Sequence, residues 1–131
     1  MKRAVLLSLI LTVLLTACAS SDPAAVIMSY LEAKVNTDLN GILAVTCAEY
    51  ESQAQIDANS FESMNPVMQD VTCAVASTTD SEAVVTCRGL IVTTYQGETR
   101  EWPAGPFPYR LVMEDGEWKM CGFSEDTSAD G

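Results

Sequence analysis

Val71-Thr72-Cys73-Ala74-Val75-Ala76-Ser77-Thr78-Thr79-Asp80-Ser81-Glu82-Ala83-Val84-Val85-Thr86-Cys87 is the stretch that decides the fold. Two runs rich in Val, Ala and Thr flank a polar centre, which is the composition of two strands joined by a turn. With Asp80 near the middle of that turn, Cys73 and Cys87 lie equally far from it and fall opposite each other. Opposed residues of antiparallel strands hold their β-carbons ~4.5–5.5 Å apart, close to what a disulfide requires. Strand character continues downstream. Strands are expected over 71–77, over 83–96, over 98–102 continuing after a break into 107–114, and over 117–123. Gly97 marks one turn, and Asp115-Gly116 between Met113 and Trp118 is a two-residue hairpin signal. Pro103, Pro106 and Pro108 cannot all donate to a ladder, so 102–108 is expected as an edge, a bulge or a loop.

Upstream the pattern is helical. Ser21-Asp22-Pro23 supplies a capping side chain followed by proline in the first turn. Val26, Ile27, Tyr30, Leu31 and Val35 then recur at helical spacing to about Asn36. Thr37-Asp38 starts a second helix, in which Leu39, Ile42, Leu43, Thr46, Cys47 and Tyr50 form one stripe and Gly41 weakens the first turn. A third, weaker helical stretch over 55–64 stops at Asn65-Pro66. The fold class expected is therefore α+β, with two or three N-terminal helices packed on a four-stranded antiparallel sheet. One domain covers 22–123. Residues 124–131, with Glu125, Asp126 and Asp130, read as a disordered acidic tail.

The chain has 131 residues, 7 Lys+Arg against 18 Asp+Glu, and no histidine. A net charge of −11 repels a phosphate backbone and argues against nucleic-acid partners. Without histidine the usual general base, the serine and cysteine nucleophile pairs and most catalytic zinc sites are missing. No cysteines stand in Cys-x-x-Cys spacing, and the sequence has no calcium loop and no glycine-rich phosphate loop. No metal, cofactor or catalytic residue is therefore assigned. If Cys73 bridges Cys87, then Cys47 is left for Cys121, joining the second helix to the last strand. In a regular hairpin, however, Cys121 faces away from Trp118 and Met120, so that bridge needs the far face or a bulge.

The first residues are an address. Met1-Lys2-Arg3 precedes an apolar run from Ala4 to Leu15, which is shorter than the ~20 residues that span a bilayer. Leu15-Thr16-Ala17-Cys18 resembles the lipobox of bacterial lipoproteins, in which the cysteine is lipidated and becomes the mature N-terminus. The resemblance implies a signal peptide over 1–17, a lipidated Cys18 and a short tether over 18–21. It also implies membrane attachment by acyl chains and an extracytoplasmic location. Ala19 and Ser20 after the cysteine resemble an outer-membrane destination in a two-membrane cell, and the cell membrane in a one-membrane cell. Export also favours oxidation of the four remaining cysteines.

Tyr30 and Leu31 in the first helix, Asp38-Leu39-Asn40-Gly41 and the closing Glu114-Asp115-Gly116-Glu117-Trp118-Lys119-Met120-Cys121 resemble the nuclear transport factor 2-like (cystatin-like) superfamily. They are similar above all to its small uncharacterised bacterial lipoproteins. The resemblance implies a curved sheet wrapped around a long helix, with a conical pocket between them, and a homodimer as one expected state. Candidate contact residues are Tyr30, Trp102, Phe107 and Tyr109. Three functions follow as expectations. The favoured one is non-catalytic binding of a small apolar ligand or an envelope protein. The second is an isomerase or dehydratase of ketosteroid-isomerase type, which needs a carboxylate beside a tyrosine in an apolar cavity. The third is a structural or inhibitory surface module that uses the 102–108 loop.

Overall fold

The computed structural model describes residues 22–125, so the expected signal peptide over 1–17, Cys18 with its expected tether, and residues 126–131 of the expected acidic tail lie outside the described residues. Helix α1 is Pro23–Val35, with Asp22 accepting a hydrogen bond from the Ala24 N–H and proline in the first turn. It buries Val26, Ile27, Tyr30 and Leu31 as the spacing requires. Helix α2 is Leu39–Ala44, capped by Asp38 through the Gly41 N–H at 2.9 Å. A short 3-10 turn, Ala48–Tyr50, leads into α3, Glu51–Ala58. The third helix is thus earlier than expected, and 59–64 form hydrogen-bonded turns.

The second helix is shorter than its stripe suggests. Cys47 is not helical, and Leu39 is exposed. A competing partner explains this. The Met120 N–H donates to Val45 O at 2.7 Å and the Cys47 N–H donates to Met120 O at 2.8 Å, so 45–47 form a parallel bridge to the last strand. Tertiary pairing takes these backbone groups from the helix.

The sheet is antiparallel and has five strands, not four: β1 Val67–Thr78, β2 Glu82–Tyr95, β3 Glu98–Pro103, β4 Tyr109–Glu114 and β5 Glu117–Phe123. The third expected strand divides because β3 and β4 lie along successive parts of β2. Pro103 pairs with Leu90, and Tyr109 with Val85. Between them 104–108 crosses the middle of β2, held by the Ala104 N–H on Gly89 O at 3.0 Å. Prolines at 103, 106 and 108 leave this segment too few donors for a ladder.

Alternate residues of β2 (Ala83, Val85, Cys87, Ile91 and Thr93) face the helices and are buried. From β4 and β5 come Tyr109, Leu111, Trp118 and Met120. The register shifts at three places, 69–72 and 75–77 in β1 and 120–123 in β5, which bends the sheet locally, and two of these are bulges beside a glycine. At the first, Asp70 and Val71 stand against Gly89, whose φ is +100°; a β-carbon there would lie 2.5 Å from Asp70 O. At the second, Tyr109 pairs with Phe123 but Leu111 with Met120, leaving an extra residue in β5 beside Gly122, φ +97°. This second bulge resolves the difficulty with Cys121. It turns Cys121 inward beside Met120, and both are buried.

Both disulfides are formed, Cys73–Cys87 between directly paired residues and Cys47–Cys121 across 74 positions. By chain entropy, replacing Cys73 and Cys87 with alanine is expected to lower stability by about 3 kcal/mol. Replacing Cys47 and Cys121 is expected to lower it by about 4–5 kcal/mol, with denaturant midpoints as the measurement.

Candidate functional site: an aromatic cleft at the end of α1

Tyr30 and Leu31 are neighbours on α1 with different surroundings. The Tyr30 side chain is 2 % exposed and reaches α3, where its hydroxyl donates to the Asp57 carboxylate at 2.5 Å. Asp57 also accepts from Gln53 Nε2 at 3.1 Å. Burial, the bond to Asp57 and that carboxylate's charge hold the Tyr30 hydroxyl well above the ordinary tyrosine value of 10.0. Tyr109, 4 % exposed, is raised by burial and then by the charges of Asp57 and Tyr50. Its hydroxyl donates to Ala104 O. Tyr50 is raised by burial and by Asp57. The interior therefore holds a tyrosine–carboxylate pair, but each group is engaged by the other.

Leu31 instead lines a cleft of about 260 Å³ that opens beside the proline-rich crossing. Ile91 forms its floor, and Tyr109, Phe123, Trp102, Pro103, Ala104 and Pro106 form one side. Phe61, from the turns after α3, closes the other side with its ring edge-on to Trp102 at 6.2 Å. Trp102 is 38 % exposed, and its indole N–H donates to Thr93 Oγ1 at 3.0 Å, which fixes the ring. With that N–H and the Tyr109 hydroxyl both satisfied internally, the cleft wall is presented as apolar ring and methylene surface.

The cleft joins two of the four candidate contact residues, Trp102 and Tyr109. Tyr30 does not line it. Phe107, 58 % exposed, lies outside it and packs edge-on against Phe123 at 6.0 Å. Phe61, Lys34 and Phe123 complete the wall and were not singled out by sequence. Lys34 stands one turn beyond Leu31, a spacing that places it on the same helix face and is the signal that could have found it.

Other groupings carry less. Glu49 has a carboxylate oxygen 3.8 Å from Cys121 Sγ, and the ligand atoms of Cys47, Glu49 and Cys121 lie within 4.8 Å of one another. With the sulfurs bonded to each other there is no thiolate to offer a cation. A larger groove of about 570 Å³ lies around the β1–β2 turn, Arg110 and Ser124. Its guanidinium is already paired with Glu82 at 2.7 Å.

The raised tyrosines predict alkaline sensitivity. Tyr30 and Tyr109, the two raised furthest, hold their protons more tightly folded than unfolded, so their contribution is complete below about pH 10 and is lost as pH rises further. Each is expected to remove about 1.4 kcal/mol per pH unit above that point. Tyr30→Phe should flatten the slope, as read from denaturant midpoints between about pH 9 and about pH 11. In comparisons with known proteins, no family model matches the chain. A search of curated proteins finds no match either.

Proposed function

We propose that the chain is a lipoprotein anchored through Cys18 on the extracytoplasmic side of the cell membrane or the outer membrane, and that its domain binds a small apolar ligand without catalysis. Two observations support the location. The N-terminal sequence has the three-part export pattern ending in Leu15-Thr16-Ala17-Cys18, and both disulfides suit an oxidising compartment. Among the described residues no helix is long and apolar enough to cross a membrane, so attachment in this reading rests on the acyl chains. The packing of α1 on β1, β2 and β5 of one antiparallel sheet supports assigning the domain to the nuclear transport factor 2-like roll.

The single observation that carries the binding function is the aromatic cleft, in which the Trp102 N–H and the Tyr109 hydroxyl are both engaged by the protein itself. A site of this kind recognises shape and apolar surface. The isomerase reading gains the Tyr30–Asp57 pair as a juxtaposition of the right groups. It loses by the same bond. A hydroxyl that donates to Asp57 has no second proton for a substrate oxyanion.

Intact mass of native material is expected to show acylated Cys18 and no titratable thiol. Native mass spectrometry is expected to show a co-purifying small molecule. Trp102→Ala should weaken its retention about tenfold, a loss of about 1.4 kcal/mol, with Phe107→Ala leaving it unchanged. An unmodified N-terminus would overturn the location. A ligand-free protein whose cleft is closed by its own side chains would overturn the binding function. Partner capture that depends on Phe107 rather than Trp102 would favour the surface-module reading.

A further inference from the structure

We propose that the cleft takes an organic anion with an apolar body, its carboxylate or equivalent head held at Lys34. This rests on the binding function above and specifies its ligand chemistry.

Lys34 lies on the cleft wall in the last turn of α1, partly buried, with its ammonium 5.3 Å from the centre of the Phe61 ring. Of the five described cations, three are neutralised in place, Arg110 by Glu82 at 2.7 Å, Lys119 by Glu117 at 3.1 Å and Arg100 by Glu98 at 3.7 Å, which leaves the exposed Arg88 and the partly buried Lys34. Among the described residues no carboxylate lies within 4.0 Å of Lys34. In a chain of net charge −11 with 18 acidic side chains, a lysine without an acidic partner beside an apolar cleft is a selective arrangement.

The ring contact orients the ammonium but does not exhaust it. A cation over an aromatic face keeps donors directed away from the ring. The carbonyl end of α1 favours a positive charge there. The walls below, formed by Leu31, Ile91, Trp102 and Tyr109, offer no free polar group to a ligand head. Head and body are therefore sorted by position: charge at the rim and methylene or ring surface on the floor. The volume of about 260 Å³ is that of roughly nine water molecules at ~30 Å³ each, which sets the body at a short chain or a single ring. The protein's net charge repels anions at a distance, but screening over ~8 Å at physiological salt leaves the contact with Lys34 as the local determinant.

The test uses full-length protein and the matched pair octanoate and 1-octanol, followed through the Trp102 indole N–H resonance. Octanoate is expected to bind at least tenfold more tightly than octanol. Lys34→Gln, which keeps much of the stem, should abolish that difference while leaving octanol affinity unchanged. Raising salt should weaken octanoate binding and leave octanol binding unaffected. Equal binding of the two probes by the native protein, or a preference for octanoate that survives Lys34→Gln, would overturn the anion assignment while leaving apolar binding intact. Failure of both probes to shift the resonance would overturn the binding function with it. A resonance that moves with protein concentration alone would assign the cleft to a second copy of the chain and overturn the proposal.

Discussion

The parallel bridge between residues 45–47 and Met120 is the constraint on which the rest of the architecture depends. It ties the segment after α2 to the final strand by two main-chain hydrogen bonds, and the Cys47–Cys121 disulfide adds a covalent tie at the same place. Lys119 reinforces the join by donating to Ala44 O at 2.6 Å, and Glu114 accepts from the Ala48 N–H at 3.2 Å. The helical layer is thus attached to the sheet at the strand farthest from β1. Because α1 lies between these limits, its buried face is enclosed rather than merely covered, and Ile27, Leu31 and Met120 share one core.

Curvature follows from the same economy of backbone groups. Register shifts in β1 and β5 supply local bends, and two of the three stand beside glycines, Gly89 and Gly122. The second bulge also places Cys121 for its bridge. Sheet curvature and covalent closure are therefore one feature of β5. Proline in the 102–108 crossing acts at the other side of the sheet. It divides β3 from β4, leaves Trp102 at the end of one strand and Tyr109 at the start of the next, and so opens the cleft between them.

Local chemistry made much of this legible. The pairing of Cys73 with Cys87 followed from symmetry about Asp80, and the Asp115-Gly116 turn joins β4 to β5 as expected. The limits of α1 followed from Asp22-Pro23 and the apolar spacing. The rest depended on distant partners. Cys47 sits on a helical stripe by spacing, yet Met120 takes the backbone around it into a β-bridge. The inward turn of Cys121 required a bulge that strict alternation in β5 does not encode. At the site, Trp102 and Tyr109 were visible as aromatics beside prolines, whereas Phe61 comes from turns with no periodicity to mark it. Tyr30 was on the correct helix face, but the position of α3 directs its hydroxyl to Asp57 and away from the cleft.

The unequal reach of the two bridges has a consequence for biogenesis. In the proposed lipoprotein, with Cys18 acylated and the chain exported N-terminus first, Cys47 is the first free thiol and meets Cys73 and Cys87 before Cys121 follows. The hairpin pair has only 14 positions to close and 74 separate the other two, so proximity favours sequestering Cys73 with Cys87 as soon as both are free. That early clasp removes the decoys from circulation and leaves Cys47 to wait for its mate. Cysteine spacing in this way favours one order of sulfur chemistry, the short clasp before the long one.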